Sequence, residues 1–162
     1  AAIAVSDQIY AATAMATGQS PSFAAALVII DRYPLVTVDV LGQYLSLSQS
    51  GAARLVERLV GQELVTRQRG ADKRFVYLQL TAAGQVRVQA IQQAREEAVG
   101  QLLRPLTAAE QIQLLSLLTK LANHSPLDEI AEEHLCRFCN IHLCPLPACQ
   151  ERVEQWRSAP AG

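Results

Sequence analysis

Residues 37–59 read TVDVLGQYLSLSQSGAARLVERL and residues 64–84 read LVTRQRGADKRFVYLQLTAAG, and these two stretches decide the fold. Thr37 is a helix N-cap by residue type, and Val40, Leu41, Tyr44 and Leu45 make one buried stripe behind it. Ser46-Leu47-Ser48 leaves room only for a tight connection, with Ser48 capping a second helix. In that helix Ala52, Leu55, Val56 and Leu59 share one face, while Gln49, Ser50, Arg54, Glu57 and Arg58 occupy the other. The period then changes. Leu64–Arg67 and Phe75–Leu80 are predicted strands flanking the polar loop 68–74, which forms a hairpin with a charged tip. Two short helices joined by a tight turn, with a charged hairpin directly after them, describe a winged helix-turn-helix.

Working outward, a helix is predicted from Ser6 to Thr17, followed by a break at Gly18-Gln19-Ser20-Pro21. Ser20 suits an N-cap and Pro21 the first helical position. The helix after them has Phe23, Leu27 and Ile30 on one face and must stop before Pro34. Beyond the hairpin, Thr81 starts a helix to Leu103, roughly 30 Å long, with a stripe of Val88, Ile91, Ala94, Ala98 and Leu102. Thr107-Ala108-Ala109-Glu110 is a capping box opening a leucine-rich helix to Ala122. That helix is apolar on too many sides to stand in water, so it is expected inside a bundle or a dimer. Ser125-Pro126 opens a last short helix, with Leu127, Ile130, Ala131 and His134 inward.

The expected fold class is mainly α (α+β): a winged helix-turn-helix lobe with a two-stranded wing, a helical dimerisation lobe and a small C-terminal cysteine-rich knot. Residues 1–36 are expected to supply N-terminal helices for dimerisation and support, 37–80 the winged helix-turn-helix DNA-binding unit, 81–124 the helical dimerisation part, and 125–162 a short helix with a four-cysteine metal-binding tail.

Half of the 162 residues are apolar and 18% are charged, which excludes disorder and allows a real core. A net charge of −1 argues against a protein that coats nucleic acid indiscriminately. Between Arg54 and Arg74, however, six basic side chains stand against three acidic ones, a local +3 on an acidic body. Such a face suits contact with DNA at one surface. The uncharged stretch from Asp7 to Asp31 is interrupted by polar residues and lacks a basic start, so neither a membrane span nor a signal peptide is expected. The chain begins on Ala1 rather than methionine, which points to a missing upstream piece, and the cytoplasm is the expected location.

Double-stranded DNA is the partner this pattern implies. Ser50, Gly51 and Ala52 are small and let the second helix approach base edges, while its N-terminal amides and Ser48 favour a phosphate. Gln49 lies beside them. Arg54, one turn in, can make a bidentate contact to guanine. Arg58, one turn later, is expected on backbone phosphate. In the wing, Arg69, Lys73 and Arg74 surround Gly70 and give a basic tip for the narrow minor groove.

From Pro21 to Gly84 the sequence resembles the MarR (multiple-antibiotic-resistance regulator) family of winged-helix transcriptional regulators. The resemblance rests on residues 41–51, on Leu55-Val56-Glu57-Arg58-Leu59, and on Asp72-Lys73-Arg74 leading into Leu80-Thr81-Ala82-Ala83-Gly84. It implies a homodimer with interlocked terminal helices on a pseudo-palindromic operator, acting as a repressor. It also implies a small-molecule effector of unknown identity. Arg74 would reach the minor groove and Asp72 would brace the wing. One departure is Glu63, where the family usually has glycine; the turn there must avoid φ > 0 or carry strain.

All four cysteines lie in Cys136-x2-Cys139-x4-Cys144-x4-Cys149. Four soft ligands in so short a span suit a tetrahedral Zn²⁺ site. An iron–sulfur cluster also takes four thiolates, although this spacing matches neither common ferredoxin pattern. Disulfides or a thiol switch are the third reading. The site is either a structural staple or a sensor of metal or oxidant. No enzyme is expected: there is no Gly-rich phosphate loop, and a four-cysteine site leaves zinc no open position.

Overall fold

The computed structural model describes residues 2–70 and 72–123. In chain order these form α1 (Ala2–Thr17), α2 (Pro21–Arg32), α3 (Val38–Tyr44), α4 (Gln49–Gly61), β1 (Val65–Arg69), β2 (Val76–Leu80), α5 (Ala82–Leu103) and α6 (Ala108–Asn123). The mainly helical winged-helix architecture read from the sequence is the one observed. The last short helix and the four-cysteine segment lie outside the described residues.

The helix starts follow from their caps. The hydroxyl of Thr37 accepts from Val40 N–H at 3.4 Å, that of Ser48 from Gly51 N–H at 3.2 Å, and that of Thr81 from Gly84 N–H at 3.0 Å. Each satisfies a backbone donor that the first helical turn leaves open, worth about 1 kcal/mol apiece. Thr107 and Glu110 close the expected capping box, with Thr107 N–H donating to Glu110 Oε2 at 2.8 Å. Ser20 precedes α2 in extended backbone without a side-chain cap, and Pro21 supplies the start.

Three helix ends share one device. At Gly18, Ser46 and Glu63 the backbone enters the left-handed region, with φ of 63°, 53° and 56°. After each, the next N–H reaches back five residues: Gln19 to Ala14, Leu47 to Gly42, and Leu64 to Leu59. This is the Schellman motif, which normally takes glycine at the left-handed position. Glu63 therefore resolves its departure from the family pattern by strain, on the order of 1 kcal/mol, rather than by another turn geometry. The carbonyl of Glu63 accepts from Thr81 Oγ1 at 2.7 Å, which helps hold the residue there.

The core corrects the expectation for α2. Phe23 through Ile30 are all buried, not a single stripe, because α1, α5, α3 and β2 surround the helix. Leu41 and Leu45 at α3, Ala52, Leu55, Val56 and Leu59 of α4, and Leu64, Val65 and Leu78 of the hairpin complete the interior, joined by Val88 and Ile91. The hairpin is antiparallel, in register from Val65↔Leu80 to Arg69↔Val76. Its first strand extends two residues beyond the predicted Arg67, since backbone pairing carries it where side chains after Val65 are all exposed. Leu78 N–H donates to Val36 O at 2.9 Å, which ties the wing to the α2–α3 connection. Along α5 the predicted stripe is buried at Val88 and Ile91 and half-buried at Ala94, Ala98 and Leu102. On α6, Ile112, Leu115, Leu117, Leu118 and Leu121 are exposed, the first and last at 70%.

Gly84 explains the Leu-Thr-x-x-Gly stretch. A Cβ there would stand 2.1 Å from the Leu64 carbonyl oxygen, which itself accepts from Thr81 N–H at 3.0 Å. Gly84→Ala is expected to destabilise the fold by about 3 kcal/mol or more, because backbone and not a flexible side chain must yield. Chemical denaturation of the two proteins checks this.

Candidate nucleic-acid interface

The helix-turn-helix consists of α3, the Ser46 turn and α4. Gly42 lets the two helices close up, since a Cβ there would lie 3.0 Å from that of Ala52. This packing leaves Gln49, Ser50, Arg54, Glu57 and Arg58 of α4 exposed. Ser48 Oγ is engaged by its cap and by Ser50 Oγ at 3.3 Å, so both hydroxyls are held at the helix start. Arg54 makes no ion pair or hydrogen bond among the described residues. Arg58 does: its Nη2 donates to Gln19 Oε1, and its guanidinium carbon lies 5.5 Å from the Phe23 ring centroid.

The wing is braced at its tip. Asp72 receives Arg74 Nε at 2.9 Å and Nη2 at 2.6 Å on one oxygen, while the other accepts Arg74 N–H at 3.0 Å. The turn is closed by Phe75 N–H to Asp72 O and Gly70 N–H to Phe75 O, both 3.0 Å. A Cβ on Gly70 would come within 2.6 Å of the Tyr77 ring, so a side chain there would push that ring aside. Phe75 and Tyr77 stack with centroids 6.2 Å apart. The Arg74 side chain is 84% exposed. A guanidinium has five N–H donors, and Asp72 engages only the Nε hydrogen and one on Nη2, so the Nη1 pair stays unpaired among the described residues. Arg69 and Lys73 are exposed and likewise unpaired among the described residues.

Sequence reading missed the link between helix and wing. Arg67 Nη2 meets Glu57 Oε1 at 2.9 Å, joining β1 to the exposed face of α4. The pair is solvent-exposed and worth under about 1 kcal/mol, but it fixes where one positive charge points. Opposite charges on either side of the Glu63 turn were the available signal. Gln19, the partner of Arg58, carried none. Among the described residues no cluster of metal-binding side chains occurs, and the cysteines Cys136, Cys139, Cys144 and Cys149 lie outside them. No single helix among the described residues is long and apolar enough to cross a membrane.

An exposed helix face beside a basic hairpin tip, on this order of elements, defines the winged-helix class. Residues 20–74 match the family model described as MarR family. The chain is similar to the crystal structure of the reduced form of MarR from E. coli, at 25% identity and a TM-score of 0.62, over 72% of this chain and 90% of that one. It is also similar to a probable transcriptional regulator from Pseudomonas aeruginosa, at 28% identity and a TM-score of 0.56, again over 72% and 90%. An S. aureus MepR F27L mutant bound to oligodeoxyribonucleotide shares the fold at 18% identity and a TM-score of 0.56, over 75% and 90%. A comparison with curated protein sequences returns no match. The chain belongs to the MarR family, whose members are transcription regulators and not enzymes.

The Arg74 guanidinium, and after it the Arg74 backbone N–H, holds the Asp72 carboxyl below the ordinary aspartate value. A depressed folded-state value means that the stabilising contact is present above the ordinary aspartate range and is lost as pH falls through the lowered value. Titration of the Asp72 carboxyl carbon by NMR is expected to give a midpoint below that of an unpaired aspartate. Arg74→Ala should move it back up, and an unmoved midpoint would show that the brace does not form in solution.

Proposed function

We propose that this protein is a sequence-specific transcriptional regulator, a repressor, that binds a pseudo-palindromic operator in duplex DNA as a homodimer in the cytoplasm. The observation that carries the reading is the joint exposure of Arg54 on α4 and of Arg69, Lys73 and Arg74 on the braced wing, all without acidic partners except Arg74. In this reading α4 enters the major groove. Ser48, Gln49 and Ser50 lie at its leading end and Arg54 reads guanine. The wing, stiffened by Asp72, lays Arg69, Lys73 and Arg74 along the minor groove and its phosphates. The S. aureus MepR F27L mutant bound to oligodeoxyribonucleotide has the same fold, which supports the same use of it here.

Dimerisation is supported by α6, whose leucine-rich surface is uncovered in the single chain and would be buried by a second copy. Two copies related by a two-fold axis present two reading helices to a palindromic site. Repression then follows from occlusion of the bound DNA. For Cys136, Cys139, Cys144 and Cys149 we propose a tetrathiolate Zn²⁺ site that staples the C-terminal segment, since thiolates are soft ligands and four of them complete a tetrahedral shell.

The test is binding to a duplex selected by the protein from a randomised library, and to random duplex, across a salt series. Affinity should fall steeply with salt for both. Arg54→Ala should lose about 1–3 kcal/mol on the selected duplex and relax preference at one position, and Arg74→Ala should weaken binding. Binding that ignores salt and Arg74→Ala would instead point to a protein-interaction module.

Protein purified without oxygen should be colourless and hold about one zinc per chain. Replacing any of the four cysteines with serine should release it. A brown protein would identify an iron–sulfur cluster instead.

A further inference from the structure

Arg58 stands apart from the other basic residues of the reading surface. A helix turns by about 100° per residue, so Arg58 lies about 40° round the exposed surface of α4 from Arg54, at its edge beside Gln19 and Phe23 of the α1–α2 corner. Its guanidinium there covers the ring of Phe23, a residue only 1% exposed at the start of α2, and donates to the Gln19 side chain. Gln19 is itself held: its backbone N–H donates to Ala14 O at 3.3 Å and to Thr17 Oγ1 at 3.2 Å, across the last turn of α1. The guanidinium thus clamps the final turn of α4 to the corner between α1 and α2. Arg54, on the same helix, has no such partner among the described residues.

We infer that Arg58 is a positioning residue for DNA reading, which sets the tilt of α4 through Gln19 and Phe23, and is not a phosphate contact. The inference rests on the DNA-binding reading above. Its consequence is that Gln19, a neutral residue 39 positions away in the sequence, affects operator recognition as Arg58 does.

Arg58→Ala, Gln19→Ala and the double variant are compared at a temperature where circular dichroism shows all three folded. The probes are the duplex selected by the wild-type protein and a random duplex. Each single variant should bind the selected duplex about three- to ten-fold more weakly, the double variant no more weakly than either, as coupled residues behave. Affinity for random duplex and the dependence of log Kd on log salt should stay as in the wild type. A phosphate contact gives the opposite pattern: Arg58→Ala weakens both duplexes alike and makes the salt slope shallower by about one, while Gln19→Ala binds normally. That result overturns the inference. So does a lowered melting temperature with unchanged preference for the selected duplex, which marks a purely structural role. A wild-type protein that enriches no duplex and shows no salt-dependent binding removes the DNA-binding reading itself, and the inference with it.

Discussion

The close approach of α5 to the end of α4 is the constraint on which the rest of this structure depends. At one point α4 ends, the hairpin opens and closes, and α5 begins. Leu64 O accepts Thr81 N–H, Glu63 O accepts Thr81 Oγ1, and the absence of a Cβ on Gly84 lets the backbones meet. Were this junction looser, the wing could swing relative to α4, and the two elements would not present one surface. The strained backbone of Glu63 is tolerated there because these contacts over-determine it.

Around that junction the charges are sorted by their partners. Glu57 takes Arg67, and Asp72 takes part of Arg74, so two of the three acidic residues of the basic window orient cations. Both pairs are exposed, which makes them weak as sources of stability. Their effect is geometric. They reduce the freedom of long side chains before any partner arrives, and so reduce what must be ordered on binding. Arg54, Arg69 and Lys73, with no such partner among the described residues, are left as the adaptable part of the surface.

Much of this is legible in the residues themselves. Thr37, Ser48, Thr81 and Thr107 each mark a helix start, and the stripe Ala52, Leu55, Val56, Leu59 names the buried face of α4. The wing brace at Asp72 and Arg74 is a contact between residues two apart, and a short pattern can carry it. The strand limits are less legible, because β1 beyond Val65 has no apolar alternation and is held only by its ladder.

What the sequence by itself determined, then, is the order of elements, their caps and which residues of α4 are exposed, all governed by interactions within a turn or two of chain. What only the tertiary structure decided is the role of groups whose partners are distant. The all-round burial of α2 needs four other elements in place, and the left-handed backbone at Glu63 needs Thr81 eighteen residues on. The hydrogen bond from Arg58 to Gln19 spans 39 positions. No local pattern encodes such pairings, because their energies arise only once the chain has brought those groups together.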